Sequence, residues 1–122
     1  MSKQASGRQQ RIEAQMQRTL ALLLPRAVKD PRVGPVTVTA VRLNADKSVA
    51  TVYFLPFGGR QAAQEVLAGL QSSAGYLRGE VGRQLALRHA PRLDFQIDTD
   101  LERAQHLTGL IDQATARDRG VS

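Results

Sequence analysis

The sequence predicts an α+β layer, with helices covering one face of a small three-stranded sheet. Three observations lead there. Apolar residues at helical spacing run through residues 8–28. Two β-branched segments flank a polar turn at residues 44–48, and a third alternating segment follows at 93–97. The resulting order, α-β-β-α-α-β-α, places a sheet too small to close on itself among helices that must bury one of its faces.

Each element has a local reason. In the first helix Ile12, Met16, Leu20, Leu23 and Ala27 form one apolar stripe, with Ser6 as a candidate cap. Pro25 cannot donate to the carbonyl of Ala21, so it kinks or ends this helix. "KDPRVGP", Lys29 to Pro35, is a connecting turn. Val36 to Leu43 alternates apolar and polar residues, with a phase shift near Ala40-Val41 that implies a bulge. Val49 to Leu55 completes a hairpin that Pro56 and Gly58-Gly59 end. Helical spacing returns over 60–74 through Ala63, Val66, Leu67, Leu70 and Ala74, and again over 76–89 through Leu77, Val81 and Leu85. Pro91 stops it. Leu93, Phe95 and Ile97 then share one side of a strand, with Asp94, Gln96 and Asp98 on the other. Thr99 and Glu102 have capping-box spacing ahead of a last helix through Leu101, Ala104, Leu107, Leu110, Ile111 and Ala114. The domain is expected over residues 8–115, with loose tails at 1–7 and 116–122.

Composition narrows the function. The 122 residues suit one domain with a real core, and 42% hydrophobic content argues against a disordered chain. There is no cysteine, which excludes disulfides and thiolate metal sites. The longest strongly apolar run, Leu20 to Leu24, is far too short to span a membrane, so the expected location is the cytoplasm. The net charge is +6, and it is uneven. Residues 1–92 hold 14 Lys/Arg and 5 Asp/Glu, whereas residues 93–122 hold 3 and 6. Such a basic body implies a polyanionic partner, most simply a nucleic acid. An Arg-to-Lys ratio of 14 to 3 also fits a GC-rich genome with no function attached.

The stretch "SSAGYLRGEVG" raises a sharper question, because Gly79-Glu80-Val81-Gly82 spells the G-x-x-G of a KH backbone clamp. At about 100° per residue, Val66, Leu70, Leu77, Val81 and Leu85 keep one phase, and Gly75, Gly79 and Gly82 fall together on the opposite face. Val81 sits on phase inside the tetrapeptide, and Glu80 would repel a phosphate. The stretch therefore reads as a helix with a bare face at Gly79 and Gly82, flanked by Arg78 and Arg83, rather than as a clamp. Another helix packed on that face is the competing explanation. With Arg8, Arg11 and Arg18 turned away from the first apolar stripe, Lys29 and Arg32 in the connector, and Arg88 on the glycine helix with Arg78 and Arg83, eight cations are the expected phosphate contacts. Arginine is well suited to that contact, since it donates two parallel hydrogen bonds.

"KDPRVG" and the strand after it, "SSAGYLRGEVGRQLALRHAP", and "LDF" followed by "DTDLERA" resemble the ribosome-binding factor A family over about residues 7–115. The resemblance implies a type II KH-like fold in which an interhelical kink of pattern Ala-x-Gly replaces the G-x-x-G loop. Ser73, Ala74 and Gly75 occupy the kink, with Ser73 in the place of the first alanine. It also implies a non-enzymatic role, without cofactor or metal. Such a protein binds the small (30S) ribosomal subunit and its 16S rRNA late in maturation, when the rRNA ends are processed. A ribosome-associated GTPase assists its release, and the expected state is a monomer. Some members carry a longer basic C-terminal tail, which is not expected to contribute in this chain. The alternative is a general single-stranded RNA-binding KH module.

Other chemistry is weaker. His89 and His106 could serve as an acid–base pair in a nuclease, but one lies at a helix end and the other in an acidic helix. Asp94, Asp98, Asp100 and Glu102 could hold Mg²⁺, but a solvated acidic face is the expected reading. Among the few aromatics, Phe95 belongs to the core. Tyr76 could face RNA or pack inward.

Overall fold

The structure, a computed structural model, describes residues 7–56 and 63–99. The element order is α1 (Gly7–Ala27), β1 (Val36–Leu43), β2 (Val49–Pro56), α2 (Ala63–Ser72), α3 (Ala74–Gln84) and β3 (Arg92–Ile97). The expected helix over residues 101–114, its Thr99–Glu102 box and the C-terminal tail lie outside the described residues. So do residues 1–6, whereas Gly7 already belongs to α1.

The sheet has the order β1-β2-β3, with β1 antiparallel and β3 parallel to β2. A parallel strand needs a long crossover, and the α2–α3 pair supplies it. Register stacks the core in rungs: Leu43, Ala50 and Leu93, then Val41, Val52 and Phe95, then Val38, Phe54 and Ile97. Onto this face the helices press Met16, Leu20, Leu23, Leu24, Val66, Leu70, Leu77 and Val81. The sheet is thus covered on one side by helices, as the α+β expectation and the KH-like arrangement require.

Local chemistry explains the boundaries. Pro25 lies in the last turn of α1, which ends two residues later at Ala27. The bulge falls at Thr39, between Val38 and Ala40, one residue before the expected Ala40-Val41. The connector is pinned to α2: a Cβ added at Gly69 would stand 2.6 Å from Val33 Cγ2. Ser73 alone separates α2 from α3, with φ −100° and ψ 0°, and its amide reaches back to Leu70 O at 3.0 Å. The apolar stripe survives this break, since Val66, Leu70, Leu77 and Val81 are all buried.

Helix α3 stops at Gln84, not at residue 89 as its sequence spacing implied. Leu87 N bonds Gly82 O at 2.9 Å and Ala86 N bonds Arg83 O at 3.2 Å, with Ala86 at φ 54°. This is a Schellman ending with alanine at the left-handed position where glycine is usual. No glycine or proline marks it in the sequence, which is why spacing alone ran past it.

Candidate nucleic-acid interface

The outer side of α1 presents Arg8, Arg11 and Arg18, all exposed. Together with Gln15 they recur at intervals of three, four and three, one helix face opposite the buried stripe. Arg18 reaches the end of α3. With Gln15, Thr19 and Leu22 it lines a groove of about 360 Å³ whose far wall is Gln84 and Leu85. Lys29 and Arg88 are also exposed, and among the described residues neither forms an ion pair.

Three of the expected cations are engaged within the chain. The Arg32 guanidinium forks onto Asp30, with Nε 3.0 Å from Oδ1 and a terminal nitrogen 2.5 Å from Oδ2. Hydrogen bonds from the Arg32 side chain and backbone lower the Asp30 carboxyl from 3.8 to about 2. The same carboxylate raises the Arg32 guanidinium above its ordinary value. Arg83 pairs with Glu80 one turn back along α3. Arg78 donates from Nε to Ala90 O at 3.0 Å. That bond ties Nε of Arg78 to the chain after α3, and the residue lines a groove of about 420 Å³. The groove is walled by Gln71, Ala74 and Gly75 on the helices and by Arg92 to Phe95 on β3.

This second groove runs beside β3, an edge strand among the described residues. Arg92 N bonds Ser48 O and Asp98 N bonds Phe54 O, so even-numbered backbone groups of β3 face β2. The N–H and C=O groups of Leu93 and Phe95 therefore point the other way, toward the groove. Arg92, exposed at the head of β3, is a cation that the sequence reading passed over. Its parity opposite Leu93 and Phe95 was the available signal. The connector carrying Lys29 and Arg32 sits beside α2, so the eight cations do not converge on one point.

The glycines divide. At Gly75 and Gly79 nothing lies within 4 Å of where a Cβ would stand. At Gly82 a Cβ would meet Ala90 Cβ at 2.9 Å. The expected bare face at Gly79 and Gly82 is thus corrected for Gly82: the chain leaving the Schellman turn folds back over it. At the kink, Ser72 Oγ donates to Gly69 O at 2.8 Å, and Ser73 Oγ reaches the same carbonyl at 3.4 Å.

The acidic residues are corrected as well. Asp98 is buried rather than on a solvated face, and its carboxylate accepts a hydrogen bond from the hydroxyl of the bulge residue Thr39. Asp94 accepts from Gln96 Nε2 at 3.1 Å. Among the described residues no three His, Asp or Glu side chains gather where a metal could be held. His89 is exposed, and His106, Asp100 and Glu102 lie outside the described residues. No described helix is long and apolar enough to cross a membrane.

A three-stranded mixed sheet under helices, with cations on exposed helix faces, defines a basic α+β protein. The chain belongs to the ribosome-binding factor A family, whose profile matches residues 8–111. The ribosome-binding factor A of Pseudomonas putida is 46% identical over 121 residues, covering 98% of this chain and 91% of that one. The crystal structure of ribosome-binding factor A from Thermus thermophilus is similar with a TM-score of 0.65 at 35% identity, covering 73% of this chain and 94% of that chain. A homology model of the Thermus thermophilus protein, fitted into a cryo-electron-microscopy map of a 30S complex, is similar with a TM-score of 0.61 at 35% identity. It covers 72% of this chain and 92% of that one.

Proposed function

We propose that this protein binds the small ribosomal subunit through phosphates of 16S rRNA late in maturation, while the rRNA ends are processed. It acts by occupying the immature particle rather than by catalysis. It works in the cytoplasm as a monomer, and a ribosome-associated GTPase promotes its release. One observation carries the reading: four of the five acids in residues 1–92 are engaged within the chain, Glu65 being the exception, while five of the expected cations stand exposed without an ion pair among the described residues. Glu13 accepts from Leu43 N, Asp30 from Arg32, Asp46 from Ser48, and Glu80 from Arg83. Arg8, Arg11, Arg18, Lys29 and Arg88 remain exposed, joined by Arg78. Such contacts position a protein on RNA without reading its bases. The kinship with a protein fitted into a 30S complex map supports the choice of particle.

The groove beside β3, with Gly75, Arg78 and Arg92, favours a second reading, a general single-stranded RNA-binding module. Co-sedimentation separates the two. The assembly reading expects binding to immature small subunits in preference to mature ones, and weak binding to short oligonucleotides. Equal binding to both particles, or to neither, defeats it. Tight oligonucleotide binding without particle preference favours the module.

A further inference from the structure

Helix α3 carries a large ring that its core does not use. Tyr76 is 59% exposed, one of two large hydrophobic side chains left outside among the described residues. Its surroundings leave the ring uncovered. Gly75 precedes it, Gly79 lies three residues on along the same helix face, and a Cβ at either would meet nothing within 4 Å. Arg83 follows on that face, about 10 Å along the axis from Tyr76, with its side chain 67% exposed despite its ion pair with Glu80. A flat, apolar ring with a polar hydroxyl thus stands beside the Glu80–Arg83 pair, on a helix where a chain can approach the backbone.

An aromatic ring in water gains by stacking on another π-face, and every nucleobase offers one when it is unpaired. The net charge of +6 on the whole chain favours a polyanionic strand over a protein side chain as the source of that face. Arg83 lies on the ring's own face of α3 and pairs with Glu80, while Arg78 on the far side of the helix and Arg92 line the groove beyond Gly75. We propose that Tyr76 is a stacking platform for an unpaired RNA base, with the strand crossing Gly79 toward Arg83. This inference rests on the reading of the protein as an rRNA binder and adds single-stranded character to the segment it meets.

The chain has no tryptophan, so Tyr76→Trp introduces a single indole as a reporter. Its emission is to be followed on adding immature small subunits, single-stranded oligoadenylate, and an RNA duplex of equal length. Stacking quenches the indole with the subunit and the single strand but not with the duplex. Tyr76→Ala then weakens subunit binding about fivefold to a hundredfold, the range for losing one base–aromatic stack, and Tyr76→Phe preserves it. Undiminished binding by Tyr76→Ala overturns the stacking and leaves subunit binding standing. No quenching, or equal quenching by duplex and single strand, overturns it too. A blue shift without quenching on the subunit means contact with a ribosomal protein and also overturns it. If the unaltered protein fails to bind the subunit, the broader reading falls and this one with it.

Discussion

Ala86 illustrates how a single side chain can work against the backbone it sits on. Its φ of 54° lies in the left-handed region, where a Cβ crowds the following carbonyl. Ala86→Gly relieves that crowding at the Schellman position and should raise stability by about 0.5–1 kcal/mol. Chemical denaturation of the two proteins measures the difference. Asp30 makes a pH-dependent counterpart. Its carboxyl is held at about 2 by the hydrogen bonds from Arg32, below its ordinary 3.8. A carboxyl depressed by folding stabilises the native state above its unfolded value and loses that contribution as pH falls through the folded one. The stability gap between the native protein and Asp30→Asn should be full at neutral pH and close as pH drops from about 4 toward 2. Thermal melts across that range would show it, and a gap independent of pH would remove the ion pair from the account.

Helix α1 does more than cover the sheet. Gln9, Glu13 and Gln17 recur every fourth residue beside the apolar stripe and lie along β1, an edge strand among the described residues. Glu13 accepts from Leu43 N at 2.8 Å, Gln9 Nε2 donates to Leu43 O at 3.3 Å, and Gln17 Nε2 donates to Val38 O at 3.1 Å. This polar row engages edge backbone groups that could otherwise recruit another strand. Glu13→Ala removes the acceptor of the half-buried Leu43 N–H and should cost about 1 kcal/mol, read as a lowered denaturation midpoint. The row was visible in the sequence as an i, i+4, i+8 pattern. Its purpose was not, because the partner strand begins nearly twenty residues further on. Helix α3 offers a paired test. Gly79→Ala fills open space and gains helix propensity of up to about 1 kcal/mol. Gly82→Ala drives a Cβ to within 2.9 Å of Ala90 and should destabilise instead. If both variants shift stability in the same direction, the packing of the chain over Gly82 is wrong.

Across the whole molecule, binding should track charge more than shape. If about five phosphates are neutralised, raising monovalent salt from about 50 to 200 mM should weaken subunit binding roughly a hundredfold. Arg8→Glu with Arg11→Glu should both weaken binding and flatten that salt slope, because each lost contact removes a released counterion. Arg32→Ala should flatten it little, since that guanidinium is engaged by Asp30. Binding at each salt concentration can be measured by sedimentation. A slope unchanged by the α1 substitutions would move the interface off this helix.

By itself the sequence determined the elements of this protein and the sign of its surface. Periodicities of 3.6 and 2 follow from which side chains must leave water, so α1, the hairpin, α2 and β3 could be read from spacing, and net charge from counting. Tertiary structure decided what spacing does not carry. It set β3 parallel beside β2, ended α3 at Gln84 ahead of a left-handed alanine that bears no stop signal, and turned Asp98 inward to a bulge hydroxyl. It closed Gly82 under Ala90 while leaving Gly79 open. It also sorted arginines of similar appearance into those engaged by an internal acceptor and those left facing solvent. The reason is the same throughout. A hydrogen-bond partner or a close approach depends on where distant backbone arrives, and no local pattern records that.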